Sequence, residues 1–266
     1  MGKMTFIFIL LCITSLPCLA QDGVLDTGFG TGGIVITGSF DGSGVAIQAD
    51  GKIVCAGSSS NGSNNDFAVV RYNINGTLDT GFDIDGIVKT DFASSNDNGY
   101  SVAIQTDGKI VVAGSSTSDR ITAIAVVRYN SNGTLDSDFG TGGKVTTAIG
   151  SSNDCALSVA IQADGKIVVA GFSLNGSYYD LAVVRYNSDG TLDTAFGTGG
   201  IVVLHGESGY LGNSVAIQAD GKIVVAGIKK FPDANLSGNF LVVRYNSNGT
   251  LDSDFGTDGI VYTAKF

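Results

Sequence analysis

Short apolar runs of Val, Ile, Ala and Tyr alternate with clusters of Gly, Asn, Asp and Ser along nearly the whole chain. Within residues 101–147 the runs fall at 101–105, 109–113, 125–130 and 143–147. Runs this short, rich in β-branched residues and bounded by turn formers, predict strands, and no stretch carries a helical period. Ile110-Val111-Val112-Ala113 is apolar at successive positions, so this strand should be covered on both faces. Asp107-Gly108, between the first two runs, predicts a tight hairpin of type I′, whose two central residues need positive φ. The third run leads into Asn130–Asp136, a turn-rich stretch ending at Phe139-Gly140.

The pattern repeats. Residues 101–114 return at 158–171, at 214–227 and, slightly altered, at 44–57. The resulting units are residues 44–90, 101–147, 158–203 and 214–263, with an extra strand-like segment at 25–37. A long internal period marks a repeat architecture, and four antiparallel strands per unit fit one β-propeller blade. The expected fold is therefore all-β and propeller-like, with about four four-stranded repeats over residues 21–266. The Leu-Asp-x-x-Phe segment occurs five times, so residues 25–37 are expected to act as an unpaired fourth strand at a ring seam or in an oligomer that completes the ring.

Three blocks recur together: Ala-Ile-Gln-x-Asp-Gly-Lys-Ile-Val-Val-Ala-Gly, Val-Val-Arg-Tyr-Asn and Gly-Thr-Leu-Asp-x-x-Phe-Gly. They resemble the delta-60 repeat, found mainly in exported bacterial proteins, and the resemblance implies a β-propeller. It implies no catalytic residues. Cys55, and Phe82-Asp83-Ile84-Asp85-Gly86 in place of Phe-Gly-Thr-Gly-Gly, depart modestly from the pattern.

The N-terminus changes the setting. Lys3, the apolar residues 5–16 and Cys18-Leu19-Ala20 read as a secretory signal peptide cleaved after Ala20. Pro17 beside Cys18 disfavours lipidation. A secreted, periplasmic or cell-surface location is expected. Removing Lys3 with the leader takes the net charge from −10 to −11, which disfavours nucleic acid and anionic membranes as partners. Cys55 and Cys155 then make no disulfide framework; Cys55 stands where the next repeat has Val112, and Cys155 falls in a predicted loop.

Several motifs carry little chemistry. Gly28-Phe29-Gly30-Thr31-Gly32-Gly33 satisfies a dinucleotide-binding spacing, but a strand-like run follows where a helix is required. The Asn/Asp-rich stretches 130–136 and 187–193 read as turns rather than Ca²⁺ loops, so no metal or cofactor is assigned. Arg71, Arg128, Arg185 and Arg244 recur inside apolar strands, each eight residues before Asp79, Asp136, Asp193 and Asp252. A buried arginine needs a partner, so these are expected to form structural ion pairs.

The repeats differ most between the second and third strands and before the first strand. Those segments emerge at one end of an antiparallel blade. They collect Tyr100, Arg120, Tyr178, Tyr179, His205, Tyr210 and Phe231, with Phe40, Lys229 and Lys230 beside them. Aromatic and polar groups on rigidly held loops suit a protein or glycan partner. The expected function is a non-enzymatic binding module. The alternatives are a hydrolase or lyase acting on extracellular polymer, signalled by paired acids among Asp41, Asp66, Asp97, Asp154 and Asp180, and a purely structural surface protein.

Overall fold

The computed structural model describes residues 23–92, 96–150, 153–176, 178–206, 209–230 and 238–263. The predicted leader, Phe231 and Glu207 lie outside them. The described residues form four antiparallel sheets, each a meander in chain order. Blade 1 comprises β1 (Asp41–Ile47), β2 (Ile53–Ser60), β3 (Asn65–Tyr72) and β4 (Ile87–Thr90). Blade 2 comprises β5 (Asp97–Ile104), β6 (Ile110–Ser118), β7 (Ile121–Tyr129) and β8 (Lys144–Thr147). Blade 3 comprises β9 (Asp154–Ile161), β10 (Ile167–Asn175), β11 (Tyr178–Tyr186) and β12 (Ile201–Leu204). Blade 4 comprises β13 (Tyr210–Ile217), β14 (Ile223–Lys230), β15 (Gly238–Tyr245) and β16 (Ile260–Tyr262). The fold is all-β and propeller-like, with first strands side by side: β1 by β5, β5 by β9, and β9 by β13.

The doubly apolar strands hold the blades together. Val54, Ala56, Phe67 and Val69 of blade 1 pack against Val102, Ile110, Val112 and Val127 of blade 2. The same positions repeat between blades 2 and 3, where Val111 and Val126 meet Val159 and Val169. They repeat again between blades 3 and 4, where Val168 and Val183 meet Val215 and Val225. One strand thus supplies alternate residues to two cores, which is why its sequence lacks polar alternation.

The hairpin chemistry differs from the sequence expectation. At the Asp-Gly turns only Gly51, Gly108, Gly165 and Gly221 have positive φ. Each preceding aspartate instead accepts the N–H of the following lysine, as Asp107 Oδ1 does from Lys109 at 3.1 Å. That bond holds the aspartate in the right-handed region, and the loop is a type I turn closed by a glycine bulge. The variable segments are also shorter loops than predicted. β6 runs to Ser118 and β7 resumes at Ile121, leaving Asp119 and Arg120, both at positive φ, as a two-residue tip. Cys155, expected in a loop, lies buried in β9, and both Cys55 and Cys155 are free thiols. Burial, foremost, pushes the Cys155 thiol up to about 12.

Residues 25–37 form turns and extended chain with a Thr31–Ile34 bridge rather than a strand. They nonetheless occupy a repeat position. Gly30 N–H bonds to Asn75 O at 2.9 Å, as Gly140 bonds to Asp189 and Gly197 to Asn248 between successive blades. Thr37 Oγ1 lies 2.6 Å from the Tyr72 hydroxyl, matching Thr90–Tyr129 and Thr147–Tyr186 at 2.7 Å. Among the described residues the stack is open between blades 4 and 1. Val45 is 65% exposed, whereas Val102, Val159 and Val215 are 7–8% exposed; Phe240 is 59% exposed, whereas Phe67 is fully buried.

The Tyr–Thr series lapses once. Leu204 stands where Thr90 and Thr147 stand in the earlier blades, and the buried Tyr245 hydroxyl has no hydrogen-bond partner. Tyr186→Phe should cost about 1 kcal/mol by stranding the Thr147 hydroxyl, while Tyr245→Phe should be neutral or stabilising. Urea unfolding of the two variants checks the contrast; equal losses would refute it.

Candidate functional site

The two ends of the blades carry different chemistry. At the invariant end, Arg71 Nε donates to Asp79 Oδ2 at 2.7 Å, Arg128 to Asp136 at 2.6 Å, Arg185 to Asp193 at 2.8 Å and Arg244 to Asp252 at 2.6 Å. Each guanidinium also lies over a phenylalanine ring, 4.4–4.6 Å from its centroid, in Phe82, Phe139, Phe196 and Phe255. A lysine completes each group, as Lys109 Nζ does at 2.8 Å from Asp136. Burial pushes the Asp136 carboxyl up, but the Lys109 and Arg128 contacts prevail and hold it below the usual carboxylate range. Arg71 and Arg185 also donate to Ser131 O and Ser247 O of the following blade at 2.5 Å, and Arg128 donates to Ser188 O. These arginines are staples within and between blades. The Asx oxygens of the neighbouring turns are likewise engaged: Asn132 Oδ1 accepts from Thr134 N at 3.1 Å and from Thr134 Oγ1 at 2.8 Å.

At the variable end, three positions correspond by strand register at each junction of one blade with the next. They are an early residue of the third strand, the first residue after the fourth strand, and a residue at the start of the next blade's first strand. Between blades 1 and 2 these are Asp66, Asp91 and Asp97; between blades 2 and 3, Ala123, Ala148 and Asp154; between blades 3 and 4, Asp180, His205 and Tyr210.

The third junction gathers most of the predicted face. Nδ1 of His205 lies 2.7 Å from Asp180 Oδ2, and Asn175 Nδ2 donates to the same oxygen at 3.2 Å. The Asp180 side chain is buried, whereas His205 is 70% exposed. A carboxylate accepts from Nδ1–H, which orients the ring and leaves Nε2 as the nitrogen that can meet a ligand. A cleft of about 340 Å³ is lined by Asn175, Tyr178, Asp180, His205 and Gly206. Beside it, Tyr179 packs edge-on against Phe172 at 4.8 Å, with Lys230 Nζ 4.8 Å from its ring centroid. Tyr210 is buried; its hydroxyl lies 2.9 Å from that of Tyr262, and Lys229 Nζ sits 4.7 Å from the Tyr262 centroid.

Two predicted members lie elsewhere. Tyr100 is the extra residue of a β-bulge in β5, where pairing with β6 shifts between Gly99 and Ser101. It is half-buried beside Cys155 and Ser115 rather than in a loop, and burial foremost raises its hydroxyl pKa. Arg120 stands at the exposed β6–β7 tip, in blade 2. Phe40 precedes β1, with Lys89 Nζ 5.4 Å from its ring centroid. The sequence reading missed Asp91, Asn175 and Tyr262; aligning the repeats position by position points to Asp91 as the counterpart of His205.

The geometry is that of a propeller-type repeat scaffold with an invariant end and a variable end. The chain belongs to the family described as a beta-propeller domain of unknown function (DUF5122), whose model matches residues 48–82, 105–139, 162–196 and 218–255, more than half of the chain. No curated protein matches the sequence. Among solved structures it is similar to the native Bacillus subtilis arabinanase Arb43A (11% identity, 84% of this chain and 82% of that chain, TM-score 0.42). It is also similar to a GH43 endo-arabinanase from Bacillus licheniformis (12%, 85% and 81%, TM-score 0.44). A putative gluconolactonase matches at 12% identity over 80% of this chain and 73% of that chain, with TM-score 0.42.

Proposed function

We propose that the protein is an exported, non-enzymatic binding module that engages a glycan at the junction of blades 3 and 4. The observation that carries this reading is the exposed His205, oriented by buried Asp180, in a cleft shared with Tyr178 and flanked by Tyr179 and Lys230. Tyrosine rings offer flat apolar surface to a sugar face, and Nε2 with the Asn175 amide offers hydrogen bonds to hydroxyls. The resemblance to the delta-60 repeat and the leader-like N-terminus support placement at or outside the cell envelope.

The hydrolase alternative draws on a group of three acids that the fold brings together among the described residues, Asp66, Asp91 and Asp97. Asp97 is fully buried and Asp66 nearly so, out of reach of a polymer's glycosidic oxygen. These positions suit a structural role better than proton transfer to substrate.

Titration calorimetry against a panel of neutral and acidic oligosaccharides tests the reading. His205→Ala and Tyr178→Ala should each weaken binding about tenfold, the loss of one ligand hydrogen bond or one stacking contact; Tyr178→Ala should do so without lowering thermal stability, whereas His205→Ala also removes a donor from buried Asp180 and should lower it by about 1 kcal/mol. Unchanged affinity in both variants would sink this site, and release of reducing ends from the panel would favour the enzyme.

A further inference from the structure

The junction of blades 1 and 2 differs from the others in holding acids at all three positions. One carboxylate oxygen from each of Asp66 (β3), Asp91 (after β4) and Asp97 (β5) lies within 4.8 Å of the other two. Asp97 is 0% exposed. Its Oδ2 accepts the Phe92 N–H at 2.7 Å and the Ser116 side chain favours its charged form, while its buried Oδ1 has no donor within hydrogen-bond distance among the described residues. Asn61 Nδ2 reaches both oxygens of Asp66, at 3.1 and 3.2 Å. Among the described residues, no lysine, arginine or histidine nitrogen pairs with the carboxylate of Asp66 or Asp97. Lys144 approaches the junction, donating to the main-chain oxygen of Asp91 at 3.0 Å.

Buried carboxylates are paired, neutralised or bound to a cation. The carboxylates of Asp66 and Asp91 stand close enough to that of Asp97 to repel it. A hard divalent cation would satisfy the orphaned oxygen and remove that repulsion together. We propose that Asp66, Asp91 and Asp97 form a Ca²⁺ site that clips blade 1 to blade 2. All three donors are carboxylate oxygens, which select Ca²⁺ or Mg²⁺ over Zn²⁺. Oxygens on one Ca²⁺, bound at about 2.3–2.6 Å, stand up to about 5 Å apart, so a spacing within 4.8 Å is compatible with the ion. Mg²⁺ demands near-ideal octahedral geometry at about 2.0–2.1 Å and keeps several waters, so three protein carboxylates on separate strands suit Ca²⁺ better. The site lies at the variable end, opposite the arginine staple. The other junctions are internal controls: Asp154 shares the buried, unpartnered Oδ1 but has Ala123 and Ala148 where blade 1 offers two further carboxylates, and His205 pairs with Asp180, so the three-acid set itself is what marks this junction.

The test is thermal melting of EDTA-treated protein on titration with CaCl₂, with MgCl₂ and ZnCl₂ as comparison arms. At a hundredfold excess over Kd, Ca²⁺ should raise the melting temperature by about 5 °C or more, reversed by EDTA. The shift should persist in Asp154→Asn and vanish in Asp66→Asn and Asp97→Asn. Should Asp97→Asn fail to fold, Asp66→Asn, at a position where blade 2 has alanine, decides alone. Absence of a Ca²⁺ shift, a shift of equal size in Asp66→Asn, or a response to Mg²⁺ or Zn²⁺ alone overturns the assignment.

Discussion

Arg128→Ala should lower stability by about 3 kcal/mol or more, the lower end of what removing one partner of a buried ion pair costs. For a domain of this size that is a fall in melting temperature of about 6–12 °C. Three interactions go at once: the bond to Asp136, the contact with the Phe139 ring and the bond to Ser188 O of blade 3. Lys109 stays at 2.8 Å from Asp136 and limits the loss. Arg244→Ala provides the contrast. Its side chain is 20% exposed, and among the described residues it has no following blade to reach, so its loss should be half as large or less. Differential scanning calorimetry of the two variants separates a staple between blades from a pair confined to one blade. Equal losses would sink the cross-blade contribution.

The difference between those arginines also shows what the sequence makes legible. Much of what repeats was readable: four strands per unit, the doubly apolar strands, and the Arg–Asp spacing; the Asp-Gly turn type, though repeated, was not. Repetition averages out local ambiguity. What depends on a break in the repeat was not. Nor was the bulge that every first strand carries, at Ser43, Tyr100, Leu157 and Asn213, because nothing in those side chains signals the extra residue. The acids at the blade 1–2 junction come from a third strand, a connection and the next blade's first strand, so no local spacing joins them. Only the comparison Asp66/Ala123/Asp180 with Asp91/Ala148/His205 and Asp97/Asp154/Tyr210 brings them into register. Tyr178 and His205 lie at the variable end of the blade, where comparing the repeats put them, but strand extensions stand where loops were expected. Tyr100, expected on a loop surface, is therefore half-buried in β5.

The bulge leads to the prediction with the largest expected effect. In every blade the first strand carries the extra residue, and the carbonyl two residues before it is driven against the glycine that ends the Val-Ala-Gly block of the second strand. An ideal Cβ on Gly171 would lie 1.9 Å from Cys155 O and 2.9 Å from its carbonyl carbon. Gly57, Gly114 and Gly227 meet Asp41 O, Asn98 O and Leu211 O at 1.8–1.9 Å. These glycines need space rather than unusual φ, since none of the four has positive φ. The obstruction is backbone, so no rotamer change relieves it. β9 must separate from β10, and β9 packs on blade 2 as well. Ordinary overpacking costs about 1–3 kcal/mol; a backbone clash that opens a ladder between two cores should exceed that and leave Gly171→Ala insoluble or unfolded at 37 °C. Gly38→Ala, with nothing within 4 Å of the added methyl and φ outside the left-handed region, should change stability by no more than about 0.5 kcal/mol. Soluble yield and urea midpoints of the pair decide the matter. A stable Gly171→Ala protein would mean that the bulge can be ironed out, and with it the reason each blade repeats a glycine there.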